Sequence, residues 1–203
     1  MNIEFVEAIS KKAKEVVGEI HTAFPGRIES IDYDKGTASV QPYALFEDKV
    51  KNKILYPVIH NVPIIVPQSS VVDTCVAYPI MVGDSCLVII SEGTTNYWKY
   101  NRVTEIDSKF DLSNAICIPG LMRKFNPCFR EAAQEGAVIL KYGEGVLRLT
   151  NDTLTIRAKN LDIQTSGSIS MTASGNVNVS SGGNLGLGAS GNTTVTGANV
   201  NIN

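Results

Sequence analysis

The sequence predicts a mainly β protein in three parts: an N-terminal helix, a small barrel, and a C-terminal needle in which three chains intertwine as a β-helix. Three observations carry this. Apolar residues recur at helical spacing up to Ile20, at a spacing of two from Arg27, and in pairs from Val138 onward whose starts fall seven or eight residues apart from Leu147. Aromatic residues stop at Tyr142, whereas the needle continues for a further stretch without them. The 41 residues after Asp162 hold no ionisable side chain, no aromatic ring and no proline. Two kinds of structure are therefore joined in this 203-residue chain. The expected divisions are a helix over 1–24, a barrel over 25–121, a linker over 122–137 and a needle over 138–203.

The helix rests on Ile3, Val6, Ile9, Ala13, Val16 or Val17, and Ile20, with Glu4, Glu7, Lys11, Lys14 and Glu15 between them. Gly18 weakens its end, and Pro25-Gly26 is expected to close the segment. So short a helix needs a surface to lie on, in its own domain, a sister chain or a partner. Residues 1–20 lack an apolar core with a cleavage site, and no run approaches the roughly 18 apolar residues that cross a bilayer. The expectation is a soluble product made in the cytoplasm, with any later export through other machinery.

From Arg27 the period is two. Residues 27–33 and 37–41, joined by Asp34-Lys35-Gly36, read as a β-hairpin. Residues 54–66, interrupted by Pro57 and Pro63, read as an edge or bulged strand. Further strands are expected over 71–78, 85–90 and 115–118, with a short helix over 94–101 around Trp98. About five short strands in so few residues suit a closed or partly closed barrel filled by its own side chains. Residues 121–135 carry few strand signals and read as a linker.

Beyond residue 137 one rule repeats: an apolar residue, any residue, a second apolar residue, then a polar turn. The pairs are Val138/Leu140, Leu147/Leu149, Leu154/Ile156, Leu161/Ile163, Ile169/Met171, Val177/Val179, Leu185/Leu187, Thr193/Val195 and Val200/Ile202. Two apolar residues separated by one point to the same face of a short strand. The Gly, Ser, Asn and Thr between pairs make a corner. One chain that buries two side chains per corner cannot close a core by itself. Three chains wound on a common axis can, with each strand hydrogen-bonded to strands of the other chains and no sheet edge left open. At about 4.7 Å per strand, the shaft would be roughly 40 Å long. The predicted axis-packing residues are Leu154, Ile156, Leu161, Ile163, Ile169, Met171, Val177, Val179, Leu185, Leu187, Val195, Val200 and Ile202. A flexible linker would not keep aliphatic pairs in register so far. A single-chain solenoid would need longer rungs.

Other chemistry finds little support. The cysteines (Cys75, Cys86, Cys117, Cys128) and histidines (His21, His60) have no metal-site spacing, and Cys86 and Cys117 sit in apolar runs suited to buried free thiols. No metal or other cofactor is expected. Catalytic motifs are absent, and Asp84 with Glu92 reads as solvated surface, so an enzyme is not expected. A net charge of −2 gives no support for nucleic-acid binding, and Lys49, Lys51 and Lys53 follow Glu47 and Asp48 in what reads as an exposed loop.

With these parts in place, the chain resembles the central spike proteins of contractile phage tails and related injection machines, the type called baseplate assembly protein V. The resemblance rests on Pro79-Ile80-Met81-Val82-Gly83-Asp84-Ser85-Cys86-Leu87-Val88-Ile89 with the Trp98 segment, on Phe110-Asp111-Leu112-Ser113-Asn114-Ala115-Ile116-Cys117-Ile118-Pro119-Gly120, and on the repeat. It implies an OB-fold domain seated on the baseplate hub protein, a homotrimer, and a needle that closes the tube and presses on or pierces the target cell envelope. It also implies a component of an extracellular tail or injection particle, with no nucleic acid bound. Such needles often end in an HxH element that binds iron. Here the end is Val200-Asn201-Ile202-Asn203, so either the tip is metal-free or a separate tip protein caps it. The rival readings are a trimeric surface fibre or adhesin stalk, and an OB-fold protein that binds single-stranded nucleic acid.

Overall fold

The computed structural model describes residues 3–18, 20, 22–47, 52–69, 71–101, 109–122 and 124–201. The helical spacing at the N-terminus gives α1 (Ile3–Gly18), on which Val6 and Ile9 stay exposed.

The expectation that Pro25-Gly26 closes the first segment is corrected, because β1 (Ala23–Asp32) runs through both residues. Pro25 cannot donate a hydrogen bond, but its carbonyl accepts one from Tyr43 N at 2.8 Å. Gly26 is needed for packing: a Cβ there would lie 2.7 Å from Val40 Cγ1. The expected hairpin forms, with β1 antiparallel to β2 (Thr37–Pro42) and a bulge between Ile28 and Ser30. Asp32 holds its turn, accepting from Lys35 N at 3.1 Å and Lys35 Nζ at 2.6 Å.

Two small hairpins flank the barrel: β3 (Leu45–Glu47) with β4 (Lys53–Leu55), and, following β5 (Ile59–Pro63), β6 (Gln68–Ser69) with β7 (Thr74–Cys75). The strand expected over 71–78 shrinks to the two residues of β7. Asp73 turns the backbone at φ 51°, and Val71 is 92% exposed, so these valines have no surface to pair against. β8 (Ser85–Ile90), α2 (Asn96–Tyr100) and β9 (Ala115–Pro119) follow the sequence reading.

The five longer barrel strands form one antiparallel sheet in the order β5-β2-β1-β8-β9. The sheet curls until its ends meet at a parallel bridge between Ile64 and Cys117, where Ile65 N donates to Cys117 O at 2.9 Å. This curled half-barrel is consistent with an OB-like domain. Alternate residues fill it: Ile28 on β1, Val40 on β2, Cys86 and Val88 on β8, and Cys117 on β9 are fully buried. Cys86 and Cys117 are free thiols, as expected.

The stretch read as a linker holds a helix, α3 (Pro127–Glu135). Its ends were written in the sequence. Asn126 Oδ1 accepts from Cys128 N at 2.9 Å, Pro127 occupies the first turn, and Gly136 ends it at φ 58°. After it come β10 (Val138–Tyr142), β11 (Gly145–Leu149) and β12 (Leu154–Arg157), an antiparallel meander. Here too the structure differs from expectation. The first three passes of the repeat hydrogen-bond within one chain, because each turn is short enough to fold the strand back on its neighbour. From residue 158 to 201 the chain forms no strand pair with itself, and every residue is exposed. Its polar corners are nonetheless formed: Thr165 Oγ1 accepts from Gly167 N at 3.1 Å, and Ser181 Oγ accepts from Gly183 N at 3.2 Å.

Candidate assembly face

The register of the C-terminal meander decides which side chains share a face. Val138 stands opposite Leu149 and Leu140 opposite Leu147 between β10 and β11. Leu147 stands opposite Ile156 and Leu149 opposite Leu154 between β11 and β12. Directly opposed residues point to the same side of a sheet, so these six aliphatic side chains make one face. None is covered: exposure runs from 39% at Leu147 to 66% at Val138. Arg148, opposite Ile139 and Thr155, lies on the other side and pairs with Glu135 of α3. One side is thus tied to the chain's own helix while the other stays open.

Past β12 the apolar pairs continue along a chain that forms no strand. Leu154 and Ile156 belong to the sheet, and Leu161, Ile163, Ile169, Met171, Val177, Val179, Leu185, Leu187, Val195 and Val200 follow along the extended chain, all exposed. Ile202, the last predicted axis residue, lies outside the described residues.

The barrel residues that drew attention in the sequence make local hydrogen bonds. Asp84 Oδ2 accepts from Met81 N at 2.8 Å, closing the turn before β8. Asp111 Oδ1 accepts from Ser113 N at 2.8 Å at the head of a single 3-10 turn (Leu112–Asn114). Those hydrogen bonds from Ser113 hold the Asp111 carboxyl below the usual carboxylate range. Asn114 is buried, and its Oδ1 accepts from Thr95 N at 3.0 Å and from Thr95 Oγ1 at 3.3 Å. His60 Nδ1 lies 3.0 Å from Ser39 Oγ. Among the described residues, no group of three or more His, Cys, Asp or Glu is placed to hold a metal ion. Lys53 stands opposite Glu47 across β3 and β4, whereas Lys49 and Lys51 lie outside the described residues. No described helix is long and apolar enough to cross a membrane.

Residues 24–120, just under half of the chain, match the family described as the phage protein Gp138 N-terminal domain. The matched segment coincides with the curled barrel and stops at Gly120, after β9. The match supports a phage structural protein with a tail or baseplate role. No curated protein matches the chain significantly.

Proposed function

We propose that the chain is the central spike of a contractile tail or related injection device, working as a homotrimer and not as an enzyme. Its OB-like barrels attach to the baseplate hub protein. The open faces of β10–β12 and the following repeat meet on the three-fold axis and form the needle. On contraction the needle is driven against the target envelope, and its task is to transmit force without unfolding. The shaft closes the tube at its distal end, with the tip bare or covered by a separate protein.

The observation that carries this is the uncovered apolar stripe. Its register in the β10–β12 sheet puts six aliphatic side chains on one side, and the same spacing continues through Val200 along a chain without hydrogen-bonded strands of its own. Burying each such side chain is worth about 1.5–3 kcal/mol, which must offset the ordering of many Gly, Ser and Asn residues. A lone chain gains none of it; three chains gain all of it at once. The match to a phage protein domain favours a tail component over an adhesin stalk.

Immunogold labelling of intact particles with antibodies against the barrel tests the placement. Label at the distal end of the tail is expected. Label on the capsid or along the sheath would contradict the proposal.

A further inference from the structure

At the opposite end of the chain from the repeat, α1 presents a second uncovered apolar face. Val6 and Ile9 are 43% and 53% exposed, and no described side chain of the helix is buried. The described residues of the barrel leave this face open.

Its register says what fits there. From Val6 the apolar residues fall at steps of three, four and three: Val6, Ile9, Ala13 and Val16. That is the a-d-a-d order of a heptad, the period of a helix packed lengthwise on another helix. The neighbouring row, Ile3, Val6, Ser10, Ala13 and Val17, is broken in its middle by Ser10. In the unbroken register Glu4, Glu7, Lys11, Lys14 and Glu15 all fall at b, c or f, the positions that face away from a seam. Lys12 falls at g, beside the seam, where a lysine stem can lie along apolar surface with its charge in water. Glu7 stands four residues before Lys11, the order that supports a helix on its outer side.

The d positions select the number of helices. Two-stranded coils favour leucine at d, whereas β-branched residues at that position shift the preference to three or four strands. α1 has Ile9 and Val16 at d, and leucine nowhere along it. The seam is also short. The 16 residues of α1 extend about 24 Å, close to the lower limit at which a helix holds in water. Two heptads are too few to gather chains from dilute solution. Chains already joined through the repeat hold their helices at an effective concentration on the order of millimolar, which relieves that limit.

We infer that the three copies of α1 in the homotrimer pack as a short parallel coiled coil, with Val6, Ile9, Ala13 and Val16 at its seam. The inference rests on the trimeric reading above and gives that trimer a second clamp, N-terminal to the barrels. The test uses the full-length chain carrying Cys75→Ser and Cys128→Ser, so that the remaining native cysteines, Cys86 and Cys117, are buried. Ile9→Cys is added to one such chain and Lys11→Cys to another. Each is oxidised with copper phenanthroline and examined on a denaturing gel, beside its native mass by light scattering. A three-stranded coil brings position 9 of neighbouring chains within disulfide reach and holds position 11 beyond the limit of about 7 Å between Cα atoms. Ile9→Cys should therefore join two chains of each trimer, and Lys11→Cys should cross-link roughly tenfold more slowly. Ala13→Ile separates a seam from an exposed face. It fills a layer of the coil and should slow amide exchange over 6–16 roughly tenfold, whereas on a lone helix the β-branched residue would quicken it. A trimeric mass without a cross-link at position 9 overturns the coil and leaves the trimeric repeat standing. Equal cross-linking at both positions, or faster exchange with Ala13→Ile, does the same. A monomeric mass overturns the coil and the homotrimer together.

Discussion

Val177→Asp probes the needle at its middle. In the single chain Val177 is 59% exposed, so the substitution costs an isolated chain almost nothing. The cost arises only if three copies bring position 177 together. Three valines then lose about 1.5 kcal/mol of burial each, and three carboxylates each carry a desolvation penalty of several kcal/mol. The total is about 10 kcal/mol or more per trimer, comparable to the whole stability of an ordinary domain. Desolvation raises the carboxyl pKa in the trimer, so the loss grows as pH rises from near about 4 and is complete only above that raised value. It is relieved as pH falls through that raised value toward the unperturbed range near about 4. Asn178→Asp adds the same charge one residue along, on the opposite side of the strand, and should change stability by no more than about 0.5 kcal/mol. The assay is light-scattering mass beside digestion with a broad-specificity protease. The V177D chain should lose both trimer mass and protease resistance at pH 7, whereas the N178D chain should keep both. A protease-resistant trimer of the V177D chain, or equal damage from both variants, would refute the inward assignment.

Other parts of the molecule make separate predictions. Gly26→Ala drives a Cβ to 2.7 Å from Val40 Cγ1 and should destabilise the barrel by about 1–3 kcal/mol, measurable by denaturant unfolding of the full chain. Asn114→Leu strips the acceptor from Thr95, costing about 1–3 kcal/mol and releasing α2; amide exchange over 95–101 should accelerate while the β1–β2 ladder stays protected. The hydrogen bond with Cys86, together with burial, pushes the Cys117 thiol up, and both thiols are fully buried; because burial keeps reagent out, neither Cys86 nor Cys117 should react with a thiol reagent in native protein at pH 8. All four cysteines should react in guanidinium, and rapid native labelling of Cys117 would contradict the closed barrel.

Where a signal was local, the chain could be read directly. The helical spacing of Ile3, Val6 and Ile9, the alternation around Val40 and the apolar run at Cys86 each became the element they predicted, because each needs only neighbours in sequence. α3 was equally local, with Asn126, Pro127 and Gly136 marking its ends, yet the scarcity of strand signals led the stretch to be read as a linker. The valines at 71, 72 and 76 misled because strand propensity means little without a partner strand. Pro25-Gly26 misled for the opposite reason: tertiary packing against Val40 demanded a glycine inside a strand. The barrel's closure at Ile64 and Cys117 joins residues distant in the chain, which no periodicity reveals. The repeat showed its aliphatic pairs clearly. That the first three passes would pair within one chain depends on turn geometry at Gly143 and Asn151, and only the structure displayed it.

The oligomeric mass of the purified full-length chain, compared with a chain truncated after Ala137, tests the trimeric spike most directly. The full-length protein should weigh about three times its 21.9 kDa chain mass, and the truncated protein should fall below a trimer. A full-length monomer would contradict the needle, and a trimer that survives truncation undiminished would show that the repeat does not hold the chains together.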